Sequence, residues 1–186
     1  MKFRNLLLFI PFYILMSSCQ NIQNAEDKSQ NGIGTSVADE NNPTTFSSKA
    51  LEQQFISTTS DTLSLKDILK QNNNKTLIKI WASWCPDCVK DLQKLKAVQV
   101  NHPELNYVFL SYDKNQDAWK NAIEKHQIKG EHFYILSDWK TGTFRKEIAL
   151  DWIPRYILTD KNGTILLFKA IEADQQALIN IITQNN

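Results

Sequence analysis

The chain has little of several residue types that define common kinds of site. It contains three cysteines and three histidines in 186 residues, and His102, His126 and His132 lack the close spacing of a zinc motif. Its formal net charge is +1, so the composition gives no indication of nucleic-acid binding. The one long apolar run, near the N-terminus, is too short for an ordinary membrane span. We therefore expect no metal site. The cysteines are the residues whose pattern is most informative about the chemistry of the protein.

Two of these cysteines, Cys85 and Cys88, form a Cys-x-x-Cys pair between a predicted strand and a predicted helix. The apolar run 77–82 predicts a buried strand, and the apolar spacing after Cys88 predicts a helix to about Gln99. Cys85 would be the N-cap, with Pro86 in the first turn, where free N–H groups and the helix dipole favour a thiolate. The pattern predicts dithiol–disulfide exchange, with Cys85 as nucleophile and Cys88 as resolving thiol.

The Cys85–Cys88 pair has two other interpretations. A structural disulfide that closes so short a loop would add little stability by loop-entropy reasoning. A metal site would need two further ligands, and the third cysteine, Cys19, lies far away in the sequence. Redox chemistry is the favoured interpretation.

The N-terminus predicts export. Lys2 and Arg4 precede a short apolar run, which is typical of a signal peptide over residues 1–18. Ser17-Ser18-Cys19 resembles a bacterial lipobox, which implies cleavage before Cys19 and lipidation of that residue. A plain secretory signal, with Cys19 incidental, is the alternative.

A polar segment and then one domain follow the signal. Residues 19–48 are rich in Asn, Gln, Ser and Thr, so we expect a lipidated cysteine and a flexible tether. Residues 49–186 are long enough for one domain with a sizeable core. Beyond the strand at 77–82, strands are predicted at 107–112, 155–159 and 164–170. Their alternation with helical patterns, followed by a hairpin and a closing helix, predicts an α/β fold.

This order of elements resembles the thioredoxin superfamily, and within it the TlpA/ResA-like, membrane-anchored thiol–disulfide oxidoreductases. The resemblance lies in the motifs at residues 81–88, 152–154 and 159–165 and covers about residues 60–180. It implies a thioredoxin-like fold, with a central mixed β-sheet flanked by helices.

The resemblance also implies a substrate site around the redox pair. Pro154 matches a cis-proline that lies against the pair, and the backbone of Ile153 is expected to bind an incoming extended chain. Trp84, Pro86 and Asp87 are expected to border the same site. The negative charge of Asp87 opposes a thiolate, and the dipeptide between the cysteines tunes the redox potential in this family.

Charged residues mark departures from the family pattern. Asp91 matches a carboxylate thought to assist proton movement near the pair, and a solvated helix charge is the alternative. Lys79 stands where thioredoxin has a buried aspartate, and we predict that it pairs with Asp91 or reaches solvent. Arg155 replaces a small hydroxyl residue and would either add positive potential near the substrate or project into solvent.

Several aromatic side chains could form an apolar platform around the sulfurs. We expect Trp84 to be exposed beside Cys85 and Trp81 to belong to the core. Trp139 and Phe144 fall in a segment, 137–151, predicted to be irregular and without an assigned role. The candidates for the platform are Trp81, Trp84, Trp139, Phe144 and Trp152.

These features together predict a lipid-anchored oxidoreductase of the bacterial cell envelope, with its domain facing the periplasm. Family resemblance favours reduction of disulfides in envelope proteins, with electrons supplied by a membrane donor. No cofactor is expected. Cytochrome c maturation is one client pathway that the resemblance implies. A copper-binding or non-catalytic module is the main alternative. A peroxiredoxin-like peroxide reductase is disfavoured because Ala82 stands where that chemistry normally has threonine.

Overall fold

The structure, a computed structural model, describes residues 42–184. The predicted signal peptide, Cys19 and the tether up to residue 41 lie outside the described residues. The contacts of the domain reach slightly ahead of residue 49, because the Ile165 N–H donates to the Thr44 carbonyl at 2.8 Å and Phe46 is buried. No helix within residues 42–184 is long and apolar enough to cross a membrane.

Strands and helices alternate through the described residues. The strands are β1 (Gln54–Ser57), β2 (Thr62–Ser64), β3 (Thr76–Trp81), β4 (Asn106–Ser111), β5 (Glu131–Ile135), β6 (Arg155–Thr159) and β7 (Ile165–Ala170). The helices are α1 (Ser48–Leu51), α2 (Leu65–Lys70), α3 (Pro86–Lys90), α4 (Leu92–Asn101), α5 (Gln116–His126), α6 (Thr143–Glu147) and α7 (Gln176–Thr183).

Across residues 42–184, the seven strands form a single mixed sheet in the order β2-β1-β5-β4-β3-β6-β7. The β3, β4 and β5 strands are parallel, whereas β6 and β7 on one side and β1 and β2 on the other add antiparallel pairs. This arrangement confirms the predicted α/β fold with a mixed sheet. The cysteine pair follows β3, which has neighbours on both sides and is buried at every residue.

The register between β3 and β6 brings two polar side chains together beneath the redox pair. Lys79 of β3 lies opposite Tyr156 of β6, and both residues are at most 1% exposed. Burial of a lysine without a partner is costly, so this register requires a negative charge nearby. Asp91, at the junction of α3 and α4, supplies that charge.

Two predicted segments differ from the structure. The single helix expected from Cys85 to about Gln99 is divided at Asp91, whose backbone (φ −71°, ψ −13°) ends α3 and begins α4. The break falls at the residue whose carboxylate is drawn into the core. The segment 137–151, predicted to be irregular, contains the short helix α6, which packs through Phe144 against Phe55 with ring centroids 5.1 Å apart.

Candidate active site

Cys85 and Cys88 are joined by a disulfide at the start of α3, with their Cα atoms 5.2 Å apart. Cys85 is the N-cap with an extended backbone (φ −92°, ψ 109°), and Pro86 occupies the first turn. The Cys88 N–H donates to Cys85 Sγ at 3.1 Å. A helix N-terminus with a free N–H aimed at sulfur stabilises a thiolate there once the disulfide is reduced.

The two cysteine residues differ in exposure. Cys85 is 5% exposed and Cys88 is completely buried. The greater exposure of Cys85 favours it as the cysteine that a substrate meets first. This difference supports the predicted roles of nucleophile and resolving thiol.

A buried carboxylate holds the loop in front of Cys85. Asp113 accepts hydrogen bonds from the Ser83 N–H at 2.9 Å and from the Ser111 hydroxyl at 2.7 Å. The Trp84 indole N–H donates to the Tyr112 carbonyl at 3.0 Å. These bonds tie the loop after β3 to the end of β4. Sequence reasoning missed Asp113, although a polar residue directly after a predicted parallel strand was a usable signal.

Ile153 and Pro154 lie beside Cys85, as predicted. Their peptide bond is cis, and the Ile153 carbonyl oxygen is 3.6 Å from Cys85 Sγ. Next to this contact is a groove of about 210 Å³. The groove is lined by Asp87, Lys90, Asp91, Lys94, Trp152, Pro154, Ile171 and Glu172. Binding of an extended chain by the Ile153 backbone stays a prediction.

Asp91 is the centre of a buried polar cluster on the Cys88 side of the pair. Lys79 Nζ lies 2.8 Å from Asp91 Oδ2, and the Tyr156 hydroxyl donates to the same oxygen. The Ala173 N–H donates to Asp91 Oδ1 at 3.0 Å, and Lys79 Nζ also donates to the Cys88 carbonyl at 3.2 Å. The predicted pairing of Lys79 with Asp91 is confirmed. The solvated alternative for Asp91 is wrong, because this residue is 6% exposed.

Burial changes the proton affinities within this cluster. Desolvation lowers the pKa of Lys79, and the charge and hydrogen bond of Asp91 oppose that shift. Desolvation also raises the pKa of Tyr156 well above 10, and the adjacent Asp91 charge acts in the same direction. Tyr156 therefore remains a hydrogen-bond donor to Asp91 at physiological pH. The proton-relay role of Asp91 stays a prediction.

Arg155 is buried rather than solvated. It is 1% exposed, and its Nη2 donates to Asp151, so the expectation that it projects into solvent is wrong. The ion pair with Asp151 offsets part of the cost of burying the guanidinium. Its Nε and Nη1 have no hydrogen-bond partner among the described residues.

The aromatic candidates divide between core and surface. Trp81 and Phe144 are buried, so they do not form a platform for substrate. Trp84 and Trp152 are 43% and 63% exposed, and Trp152 lines the groove beside Pro154. Trp139 is half-buried and packs edge-on against Trp84, with centroids 6.1 Å apart.

The cysteine pair has no additional metal ligands grouped with it in the described chain. No cluster of three or more His, Cys, Asp or Glu side chains suitable for a metal occurs within residues 42–184. The pair, its helix and the neighbouring cis-proline are instead arranged for exchange between sulfurs.

A mixed sheet that presents a Cys-x-x-Cys helix N-terminus beside a cis-proline defines the thioredoxin superfamily. Residues 37–176 match the Redoxin family model, and the chain belongs to the Redoxin family. It is 26% identical over 128 residues to the sporulation thiol-disulfide oxidoreductase A of Bacillus subtilis (strain 168), covering 66% of this chain and 68% of that protein.

Solved structures agree with this assignment. A Bacteroides vulgatus protein described as a thiol-disulfide oxidoreductase is 30% identical, with a TM-score of 0.56 over 68% of this chain and 80% of its own. A thiol-disulfide oxidoreductase of Bacteroides fragilis, 22% identical, shares the fold with a TM-score of 0.57 over 68% of this chain and 91% of its own. Family, fold and site together make the chain a thioredoxin-like thiol–disulfide oxidoreductase. The metal-binding alternative is not favoured.

Proposed function

We propose that this oxidoreductase reduces disulfides of other proteins in the bacterial cell envelope, with its domain in the periplasm and a lipid anchor on Cys19. The observation that carries the catalytic part is the placement of Cys85 Sγ 3.6 Å from the Ile153 carbonyl oxygen, with Cys85 slightly exposed and Cys88 completely buried. An extended substrate backbone can pair with Ile153 while its disulfide meets Cys85.

The exchange has two steps. The Cys85 thiolate attacks one sulfur of the substrate disulfide, and the other substrate sulfur leaves as a thiolate. Cys88 then loses its proton and attacks Cys85 Sγ, which releases the first substrate sulfur and forms the Cys85–Cys88 disulfide. Two electrons pass to the substrate, and a membrane electron donor would return the pair to the dithiol.

Asp91 is the proposed acceptor of the Cys88 proton. It lines the groove beside the redox pair, so a proton taken from Cys88 has a route to solvent. An Asp91→Asn variant should slow resolution of the mixed disulfide and change its pH dependence, with the first attack by Cys85 little altered. Lys90 is exposed and lines the same groove, so Lys90→Met is the control for a change of one charge there.

Trapping tests the exchange itself. Reduced Cys88→Ser protein should accumulate a mixed disulfide with insulin that dithiothreitol releases, whereas Cys85→Ser should accumulate none. A protein that uses the pair to hold copper would instead show weaker metal affinity in Cys88→Ser and no trapped insulin.

The equilibrium reduction potential of the Cys85–Cys88 couple tests the direction of electron flow. A value near that of thioredoxin, about −270 mV, supports a reductase with a dedicated donor. A value near that of DsbA, about −120 mV, would make the protein an oxidase or isomerase.

Lipidation is tested in bacterial cells. Labelled palmitate should enter the wild-type protein and not the Cys19→Ser variant, and the labelled protein should sediment with membranes. Release of a soluble, unlabelled wild-type protein would support the plain secretory signal instead.

A further inference from the structure

The connection between β5 and β6 is constructed around specific side-chain bonds. At its start, Asp138 Oδ1 accepts from the Lys140 and Thr141 N–H groups at 2.9 and 2.8 Å. The Gly142 N–H donates to the Asp138 carbonyl at 2.9 Å, and a Cβ at Gly142 would lie 2.3 Å from that oxygen. This turn therefore has a defined shape, and it carries Trp139.

Arg145 closes the segment by joining its two ends. The guanidinium donates from Nη1 to the Trp139 carbonyl at 3.1 Å and from Nε to the Leu150 carbonyl at 2.8 Å. The backbone carbonyl of Arg145 also accepts from the Leu150 N–H at 2.9 Å. One residue thus holds both backbone polar groups of Leu150, immediately before the 151–154 stretch that contains the cis-proline.

The same guanidinium supports an aromatic cluster beside the nucleophile. Its Cζ lies 4.7 Å from the centre of the Trp139 ring, a cation–π contact. Trp139 packs edge-on against Trp84 and Tyr112, with centroids 6.1 and 5.0 Å apart. Trp84 directly precedes Cys85 in the chain. Arg145 therefore acts on Trp84 through Trp139 and on the cis-proline side through Leu150.

We propose that Arg145 is a positioning residue of the redox site, which fixes Trp84 beside Cys85 for docking of protein disulfides. This inference rests on exchange at Cys85–Cys88 and not on the direction of electron flow. A protein that approaches Cys85 must cover the exposed Trp84 ring, whereas a small disulfide can meet the sulfur without that contact. Arg145 therefore favours protein substrates over small ones.

The kinetic test uses pre-reduced full-length protein with insulin and with oxidised glutathione. Arg145→Met should raise the half-saturating insulin concentration about tenfold, the change expected for loss of one aromatic docking contact, with the maximal rate retained. The rate constant for oxidised glutathione should remain within about twofold. Arg145→Lys should not restore insulin binding fully, because a lysine cannot reproduce the planar two-carbonyl bridge. Lys146→Met, an equal charge change at an exposed neighbour in α6, is the matched control and should behave as wild type.

Two further measurements separate positioning from a general structural effect. The close Trp84–Trp139 pair should give an exciton couplet in circular dichroism, which Arg145→Met should weaken and Lys146→Met should preserve. The insulin effects of Arg145→Met and Trp84→Ala should be non-additive, because both act through one contact. An unchanged couplet and unchanged insulin saturation in Arg145→Met, whatever its melting temperature, would overturn the proposal. The dichroism couplet is measured without any reaction. It therefore tests the position of Trp84 independently of the direction of electron flow.

Discussion

The redox pair lies between two regions of opposite character. On the Cys88 side, Lys79, Asp91 and Tyr156 form a buried ionic cluster in which the two charged residues are at most 6% exposed. On the Cys85 side, Trp84 and Trp139 form a partly exposed aromatic wall. Buried charge is thus concentrated on the Cys88 side, and exposed aromatic surface lies on the Cys85 side, where we propose that a protein substrate docks.

The two regions are also supported differently. The ionic cluster joins residues far apart in the chain and depends on the register of β3 and β6. The aromatic wall depends on a local segment, held by the bridge of Arg145 and the turn at Gly142. We therefore expect substitutions in the cluster to affect global stability most, and substitutions in the segment to affect substrate docking at a smaller cost in stability.

The largest effect is expected from Lys79→Met. Removal of one partner leaves the Asp91 carboxylate buried without its countercharge, which typically costs about 3–5 kcal/mol of unfolding free energy. Denaturant unfolding measures this loss, with the exposed Lys66→Met as control. The double variant Lys79→Met/Asp91→Asn should recover part of the loss. A loss below about 1 kcal/mol in Lys79→Met would show that the cluster contributes no more than a surface ion pair.

Gly142→Ala, in the turn that carries Trp139, should destabilise the protein less than Lys79→Met. It should alter the aromatic wall more. The new Cβ would lie within 2.3 Å of the Asp138 carbonyl, so the turn must open, at a cost of about 1–3 kcal/mol. Because that turn carries Trp139, the Trp84–Trp139 dichroism couplet should weaken as well. Lys140→Ala changes an exposed side chain in the same turn and should preserve both. An unchanged dichroism couplet in Gly142→Ala would show that the shape of this turn does not determine how Trp139 packs against Trp84.

Part of the fold and of the candidate site was predictable from the sequence. The remaining features depend on contacts between residues far apart in the chain. The strand–helix junction at Cys85 was predicted from local spacing. The family resemblance marked Lys79 as a buried position, and pairing with Asp91 was one of the two outcomes expected there. Tyr156 was missed because only the antiparallel register places it opposite Lys79. Arg145 was missed because its two carbonyl acceptors lie in a segment without apolar periodicity. The buried position of Arg155 likewise depends on Asp151, a partner that strand patterning does not identify.

Acid tests the ion pairs that Asp151 forms with Lys169 and Arg155. The hydrogen bond from Lys169, together with the charge of Arg155, lowers the pKa of Asp151 from 3.8 to about 2. The folded-state pKa is depressed, so this contribution is present above pH 4 and is lost as the pH falls towards 2. The part due to the Lys169–Asp151 pair should not exceed about 1 kcal/mol, because both side chains are about half exposed or more. The difference in unfolding free energy between wild type and Asp151→Asn should therefore shrink between pH 4 and 2. A constant difference would contradict the assignment.

The smallest effect is a gain, at the C-terminal end of α6. Ala149 has a left-handed backbone with φ +43°, and the Leu150 N–H bonds back to the Arg145 carbonyl, which is a Schellman-type helix end. Glycine adopts this conformation without the steric cost that alanine incurs, so Ala149→Gly should stabilise the protein by about 0.5 kcal/mol, net of glycine's greater freedom in the unfolded chain. Ala118→Gly, within α5, is the opposite case and should destabilise by up to about 1 kcal/mol. A gain in stability with unchanged insulin saturation would show that relief of backbone strain at Ala149 leaves substrate docking unaltered. A loss of stability would mean that the Ala149 side chain contributes more than its backbone strain costs.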